Sequence, residues 1–129
     1  MINLGTNYII SSDTSKNAIA PNSYIRNNTG QYILIMQTDG NLVGYDTSTP
    51  GGYTPFWASG TANTVGYMLV LGTNGVSTVI DRNWNTIWNT HDFAQLGPGQ
   101  SCTLIMQKDR NIVIYDSNNS PLWSSSMNV

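Results

Sequence analysis

Charged side chains are scarce in this chain, and glutamate is missing altogether. Asp, Glu, Lys and Arg make up 9% of the 129 residues, against roughly 25% in an average protein. The formal net charge is -2, so the sequence supplies no basic surface for phosphate groups, and we expect no nucleic-acid partner. Asn, Ser, Thr and Gly replace the charges, and these residues favour turns, short strands and neutral hydrogen bonding.

The chain has only one cysteine and no long apolar run. A single cysteine, Cys102, excludes an intrachain disulfide and a cysteine-based zinc site, and its apolar neighbours favour a small buried residue over a reactive thiol. No apolar run approaches the ~18 residues of a membrane span, so membrane insertion is not expected. Residues 1–10 show no signal-peptide pattern. The localisation stays open between a cytoplasmic protein, one released without a classical leader, and a mature secreted form.

One polar pattern occurs twice, 70 residues apart. Residues 37–45 and 107–115 both read Q-x-D-x-N-x-V-x-Y, and a degraded copy begins halfway between them at Gly72. Each copy ends on a tryptophan, although an insertion of about four residues within 47–53 delays the first of them. We therefore interpret residues 1–129 as a single domain built from three internal repeats of about 35 residues.

Each repeat has the pattern of β structure. Short runs of Ile, Val, Leu and Tyr are bounded by Asn, Asp and Gly, and Asp39-Gly40 and Asn74-Gly75 are strong hairpin signals. No stretch of 11 or more residues shows helical periodicity. We predict an all-β fold with roughly four strands per repeat, arranged as three sheets packed around a common axis. The best candidates for the structural core at its centre are Trp57, Trp88 and Trp123.

The repeated motif suits a neutral polyol. As one straight strand, residues 37–45 would span about 26 Å, whereas a turn at Asp39-Gly40 brings Gln37 and Tyr45 together on one shallow patch. Carboxylate, amide and phenol groups supply mixed donors and acceptors, and valine offers an apolar wall to the C–H face of a sugar ring. An anionic ligand would need Arg, Lys or a helix N-terminus. A single carboxylate per site supplies too few charged oxygen ligands for calcium. We therefore expect no metal and no cofactor.

The degraded middle copy acts as an internal control. It keeps the turn as Thr73-Asn74-Gly75, while the five motif positions become Gly72, Asn74, Val76, Thr78 and Ile80. The scaffold therefore does not require the polar set. Polar residues that served only as the solvated face of a strand would not recur in full at two of three positions. This predicts two intact sites and one degenerate site.

Catalysis is not expected, and no catalytic residue is assigned. The one histidine, His91, lies beside Asp92 outside the repeated motif, and neighbours along a strand point apart. The three residues Asp46, Asp81 and Asp116 recur just before turns in all three repeats, the degraded one included. That recurrence favours a turn-forming role for them over chemistry.

The doubled motif, with a tryptophan closing each of three units, resembles the bulb-type, monocot-like mannose-binding lectins. The resemblance extends from about Asn7 to Trp123 and implies the β-prism II fold, with three four-stranded antiparallel sheets around a pseudo-threefold axis. It implies that the motif Asp and Asn hold the 2-hydroxyl of mannose, Gln the 3-hydroxyl and Tyr the 4-hydroxyl, with Val against the ring carbons. In this chain those carbohydrate-binding roles fall on Gln37, Asp39, Asn41, Val43 and Tyr45, and on Gln107, Asp109, Asn111, Val113 and Tyr115.

The function implied by the resemblance is a lectin that binds mannose or mannosylated glycans. The alternative is a lectin-like bacteriocin or another protein-interaction module on the same fold. Family members often dimerise by exchanging a C-terminal strand, which implies a homodimer involving residues 124–129. Plant members typically carry one disulfide, which this chain cannot form. Trp84, in a polar turn without a counterpart, is either a partly exposed packing residue or a ring that contacts a ligand or partner.

Overall fold

In the part of the chain that the structure describes, the regular elements are all short β-strands. A computed structural model describes residues 1–90 and 101–126. Within these ranges no helix is long and apolar enough to cross a membrane. The described strands, numbered in chain order, are β1 Ile2–Asn3, β2 Tyr8–Ile10, β3 Ala18–Ile19, β4 Ser23–Arg26, β5 Tyr32–Met36, β6 Leu42–Asp46, β7 Thr54–Ala58, β8 Met68–Leu71, β9 Ser77–Ile80, β10 Thr86–Asn89, β11 Cys102–Met106, β12 Ile112–Asp116 and β13 Pro121–Ser124.

Three antiparallel meanders form the body of the molecule. They are β5-β6-β7, β8-β9-β10 and β11-β12-β13, and each belongs to a different sheet, here called sheets A, C and B respectively. The prediction of an all-β fold with three sheets is confirmed. The prediction of four strands per repeat holds only for the first repeat, where β4 to β7 are consecutive; in the other two sheets the fourth strand comes from the N-terminal segment. Strand β4 pairs with β5, β3 with β8 and β2 with β11, covering edges that would otherwise expose unpaired backbone groups.

Sheet A departs from the predicted four antiparallel strands. It has a fifth strand, β1, which pairs in parallel with β4 through Ile2 opposite Ser23 and Asn3 opposite Tyr24. The parallel direction arises because the chain between them visits sheet B as β2 and sheet C as β3 before it returns to sheet A. Such a crossover has no local signal in a two-residue strand.

The inner faces of the three sheets share one apolar core. Alternate residues of each strand point inward, because successive side chains along a strand face opposite sides of the sheet. The buried members of this core are Ile9, Ile19, Ile25, Leu34, Met36, Leu42, Leu69, Leu71, Val79, Cys102, Leu104, Met106, Ile112 and Ile114. The expectation of a buried Cys102 is thereby confirmed.

The three tryptophans that close the repeats contact one another. Trp57 lies 5.6 Å from Trp88 and 5.7 Å from Trp123 between ring centroids, and the Trp88–Trp123 distance is 6.2 Å. All three pairs are edge-to-face, and the rings pack partly buried against the core. Such aromatic pairs contribute ~0.5–1.5 kcal/mol each beyond their buried area. One tryptophan from each sheet thus joins the three sheets.

The motif positions lie on three hairpins of the same geometry. The N–H of Gln37 donates to the carbonyl of Asn41 at 2.9 Å, and the corresponding bonds of the other hairpins are 2.9 Å and 3.0 Å. In each, the third loop residue has left-handed backbone torsions: Gly40 at φ 91°, Gly75 at 85° and Arg110 at 68°. This is the three-residue hairpin loop, a turn followed by a left-handed residue.

We expect Gly40→Ala to destabilise the fold by about 2 kcal/mol or more. The left-handed conformation alone costs an alanine roughly 1–2 kcal/mol, and a Cβ at this position would lie 2.7 Å from the backbone oxygen of Thr64. The matched control is Arg110→Ala, because position 110 already holds a non-glycine residue at positive φ; we expect a change below about 1 kcal/mol. Urea denaturation measures both, and similar midpoints for the two variants would contradict the prediction.

Candidate functional site

The first motif forms a patch on the outer face of sheet A. Tyr45 donates a hydrogen bond from its hydroxyl to Gln37 Oε1 at 2.5 Å. Gln37 Nε2 in turn donates to both carboxylate oxygens of Asp39 at 3.2 Å. The hairpin makes this possible, since the eight-residue separation of Gln37 and Tyr45 becomes a side-chain contact. The structure therefore brings these three sequence-predicted residues together.

Val43 forms the apolar floor beside this polar chain. It pairs with Ile35 across the strands, is 3% exposed, and packs with Ile35 and Ile33 in a small cluster separate from the main core. Tyr24 and Tyr45 pack against the same cluster. Because Val43 and Tyr45 alternate with inward-facing residues on β6, both belong to the outer face. Packing against this cluster supports the Tyr45 ring next to the patch.

Asp39 and Asn41 are held at the hairpin tip by their backbone and by a distant loop. Asp39 Oδ1 accepts the Asn41 backbone N–H at 3.0 Å, and the carboxylate is exposed. The hydrogen bonds that described residues make to the Asn41 side chain all fall on Oδ1, from the Ser59 hydroxyl and the Thr61 N–H, each at 3.1 Å. This arrangement directs the two amide hydrogens of Asn41 to other acceptors, as ligand recognition requires.

The second motif, on sheet B, repeats the Gln–Tyr contact, the Asp-capped turn and the serine-bound Asn of the first. Gln107 Nε2 lies 2.5 Å from the Tyr115 hydroxyl, and Asp109 Oδ1 accepts the Asn111 N–H at 3.0 Å. Asn111 Oδ1 accepts the hydroxyl of Ser125 at 3.0 Å, and Val113 is 3% exposed. The two hairpins thus carry the same five kinds of side chain on two different sheets, but the two glutamine amides are oriented oppositely. Gln107 Nε2 donates to Tyr115, whereas Gln37 accepts from Tyr45 through Oε1 and donates to Asp39 through Nε2.

Ser59 and Ser125 are site residues that the sequence analysis missed. Besides binding the motif Asn, the Ser59 hydroxyl accepts the Leu42 N–H at 3.1 Å, and the Ser125 hydroxyl accepts the Ile112 N–H at 3.0 Å. In the middle unit Thr90 holds this place and accepts the Ser77 N–H at 3.2 Å. The available signal was a hydroxyl residue two positions after each repeat tryptophan.

The middle unit keeps the hairpin without the polar chain. Asn74 Oδ1 accepts the Val76 N–H at 3.1 Å, as Asp39 and Asp109 do in the other hairpins. Gly72 has no side chain to bridge the strands, and Ile80, at the tyrosine position, is 5% exposed. In the intact motifs, one carboxylate oxygen of the Asp therefore caps the turn. The middle unit shows that an amide oxygen can do the same.

Burial and charge keep the Tyr45 phenol protonated. Partial burial, with a smaller contribution from the nearby Asp39 carboxylate, raises the pKa of Tyr45 above its usual value near 10. The hydroxyl therefore remains a donor and acceptor throughout the neutral range. Because the anionic form is disfavoured, this group is suited to hydrogen bonding and not to acting as a base.

The recurring aspartates outside the motif form turns, as expected. Asp46 accepts the Ser48 hydroxyl at 2.5 Å and its N–H at 2.9 Å, and these bonds hold the pKa of Asp46 below its usual value. Asp81 binds the Asn85 side chain and backbone, which lowers its pKa likewise. Asp116 accepts two backbone N–H groups at 2.9 Å.

Each intact motif opens into a cleft, and the two clefts differ. The cleft at the first motif has a volume of about 500 Å³ and is lined by Gln37, Asp39, Tyr45 and also Tyr53. The cleft at the second has about 380 Å³. There the lining includes Gln107, Asp109 and Tyr115, together with Lys108, Asn7 and Asn28. The two patches therefore share their polar set but not their surroundings.

Two further sequence hypotheses have different outcomes. Trp84 is 69% exposed and has φ 66°, so it is a surface residue in a left-handed turn and not a packing residue. His91 and Asp92 lie outside the described residues. Among the residues that are described, no three His, Cys, Asp or Glu side chains come together as a metal site would require.

Comparison with solved structures finds the same architecture. Monomeric monocot mannose-binding lectins from Gastrodia elata match with a TM-score of 0.77 and 29% identity over 96% of this chain and 100% of theirs. Polygonatum cyrtonema lectin, solved with monomannoside, matches at 0.67 with 31% identity, over 85% of this chain and 89% of its own. The mannose-specific agglutinin of snowdrop, Galanthus nivalis, solved with methyl-α-D-mannoside, matches at 0.68 with 28% identity, over 95% and 98%. Scans of protein-family models and of curated proteins found no match.

These similarities confirm the β-prism II fold and the predicted resemblance. The matches cover nearly the whole of each chain, and the proteins concerned are all described as lectins, which bind carbohydrate without catalysis. The chain is accordingly a lectin and not an enzyme. With 31% identity over most of both chains for one of these structures, the chain belongs to the bulb-type family of mannose-binding lectins.

Proposed function

We propose that this lectin binds mannose and mannose-containing glycans through the two intact motifs, with the middle unit vacant. The observation that carries the proposal is the shared geometry of the two patches. In each, Gln and Tyr side chains touch at 2.5 Å and an Asp oxygen caps the turn at 3.0 Å. The motif Asn Oδ1 is held by a serine hydroxyl in both.

The chemistry of the patch fits a neutral sugar. The Asp carboxylate accepts hydrogen bonds, the Asn amide donates them, and the Gln–Tyr pair does both, so adjacent hydroxyls of one ring find complementary partners. The motif valine, at the floor of the patch, supplies the apolar contact. In this arrangement Asp39 with Asn41, and Asp109 with Asn111, hold the 2-hydroxyl of mannose. Two related lectins were solved with mannosides, which supports mannose as the sugar.

Each site alone is expected to bind weakly. The neutral hydrogen bonds of a site contribute ~0.5–1.5 kcal/mol each and those to the carboxylate ~1.5–3 kcal/mol, and association entropy offsets much of the sum. A net free energy of about -4 kcal/mol corresponds to a dissociation constant of ~1 mM. Two sites per chain would hold clustered glycans more tightly through effective concentration.

The test is a calorimetric titration with methyl α-mannoside. We expect two sites per chain, with dissociation constants on the order of 1 mM. Methyl α-galactoside, whose 2- and 4-hydroxyls are oriented differently, is the control and should bind at least tenfold more weakly. Folded protein that shows no heat of binding at ligand concentrations roughly twenty times the expected constant would contradict the proposal.

A homodimer formed by exchange of the C-terminal strand stays a prediction. In the described chain β13 pairs with its own β12, through Val113 opposite Ser124 and Ile114 opposite Trp123. Exchange would replace this pairing by the same contacts from a second copy, and residues 127–129 of the predicted tail lie outside the described residues. Light scattering of the full chain measures which form is present.

The second candidate, a protein-interaction module such as a bacteriocin, rests on a different surface. Val65 and Trp84 are 70% and 69% exposed. Val65 lines a cleft of about 420 Å³ with Tyr67 and Arg82, whose guanidinium lies over the Tyr67 ring. Growth inhibition that survives loss of both Asp39 and Asp109 would favour this candidate over the lectin activity.

A further inference from the structure

The two intact patches differ most in one aromatic side chain. Tyr53 lines the cleft of the first motif, and its ring centroid lies 5.7 Å from that of Tyr45 with the planes tilted by 60°. The Tyr53 side chain is 48% exposed. Among the described residues that line the second cleft, none besides Tyr115 has an aromatic ring; Lys108 and two asparagines lie there instead.

The insertion in the first repeat is what places Tyr53. The loop between β6 and β7 spans residues 47–53, whereas the corresponding loops span 81–85 and 117–120. The longer loop is tied down at its start, where the Thr47 N–H donates to the Gln31 carbonyl at 2.7 Å. Near its end, the Gly52 N–H donates to the Thr49 carbonyl at 2.9 Å, which closes a turn within the loop. Tyr53 therefore has a defined position directly before β7.

We propose that Tyr53 forms a second sugar subsite, so that the first motif recognises two consecutive pyranose units while the second motif recognises one. The inference rests on the proposed function, since it requires the terminal mannose in the Gln37–Tyr45 patch. A pyranose has an apolar C–H face, and an exposed tyrosine ring offers it apolar area next to the primary patch. The penultimate sugar of the glycan packs on the exposed part of Tyr53.

The surroundings of Tyr53 are suited to such a ligand. Asn22 and Thr38 line the same cleft and carry neutral polar side chains that can meet the hydroxyls of the second sugar. Ile35, which packs with Val43, and Met1 are the apolar members of the lining.

The experiment compares one sugar with two at each site separately. The Asp109→Asn variant retains the first site and the Asp39→Asn variant retains the second. Each is titrated with methyl α-mannoside and with the methyl glycoside of an α-linked dimannoside; the α1,2, α1,3 and α1,6 linkages are used in parallel. We expect at least one dimannoside to bind the first site about tenfold more tightly than the monosaccharide, and all to bind the second site within about twofold of it.

Tyr53 is then changed in the Asp109→Asn background. Tyr53→Ala should bring the best dimannoside to within about twofold of the monosaccharide, while Tyr53→Phe, which keeps the ring, should retain the preference. The ratio of the two affinities is the readout, because any loss of support for the Tyr45 ring lowers both alike. Thermal unfolding of each variant verifies the fold.

The outcomes separate this inference from the function on which it rests. Absence of any methyl α-mannoside binding by the parent protein would overturn the proposed function. Monosaccharide binding with no dimannoside preference at the first site would overturn the subsite alone. A preference that persists in Tyr53→Ala would also overturn it, since the second sugar would then be held elsewhere.

Discussion

Asp39→Asn is expected to abolish sugar binding at the first site and to leave the fold intact. The carboxylate is the only charged acceptor of the motif, and hydrogen bonds to a charged group are worth ~1.5–3 kcal/mol. Its loss raises the dissociation constant of a ~1 mM site roughly 10- to 150-fold, to about 10–150 mM, so this site stays largely empty at sugar concentrations of a few millimolar. The turn survives because an amide oxygen performs the same capping role at Asn74, at 3.1 Å. Calorimetry should show one site per chain instead of two.

The controls for this prediction are available within the chain. Asp109→Asn should remove the other site, and the double variant should bind no mannoside while it unfolds within about 0.5 kcal/mol of the parent. Asn74→Asp restores only the carboxylate to the middle unit, where Gly72 and Ile80 supply none of the other contacts, so no third site should appear. A stoichiometry of two in Asp39→Asn would show that the motif carboxylate does not bind sugar.

Trp88→Ala is expected to destabilise the protein by about 3 kcal/mol or more. Removal of a core tryptophan typically costs ~3–5 kcal/mol, and Trp88 makes edge-to-face contacts with both Trp57 and Trp123. Because Trp88 is only partly buried, we expect the loss of stability to lie near the lower end of this range. A domain of this kind unfolds with ~5–15 kcal/mol, so the variant loses a large share of its stability. Urea denaturation followed by far-UV circular dichroism measures the change.

A second tryptophan provides the matched control. Trp84→Ala removes the same side chain from a position that is 69% exposed, and we expect a change of at most about 0.5 kcal/mol. Trp88→Phe, which keeps an aromatic ring, should lie between the two. Equal denaturation midpoints for Trp88→Ala and Trp84→Ala would mean that the three tryptophans do not hold the sheets together.

The local sequence pattern was sufficient to predict the hairpins and insufficient to predict how the N-terminal strands pair within the sheets. Glycine directly follows Asp39 and Asn74 in the sequence, and the structure has a hairpin turn at both positions. The N-terminal strands β2 and β3 are three and two residues long. Such strands are too short to show a recognisable alternation of apolar and polar residues. Their pairing with β11 and β8 joins residues far apart in the chain. The same holds for the parallel strand β1, which no local signal predicts.

The candidate site shows the same division. Contacts within the motif, such as Tyr45 with Gln37, span eight residues and follow from one turn. The contact of Ser59 with Asn41 spans 18 residues and depends on the register of β7 beside β6. A hydroxyl two residues after a tryptophan is compatible with many roles, and its meaning appears only once the strands are paired.

The sequence by itself determined that the chain carries two polar hairpins and a third without the polar set, because those side chains and their turns lie within nine consecutive residues. Only the tertiary structure decided that the two patches are unequal. Tyr53 reaches the first patch because β7 returns beside β6 after a longer loop, and Asn7 and Asn28 border the second. Such neighbours are set by strand pairing across the fold, which spacing along the chain does not encode.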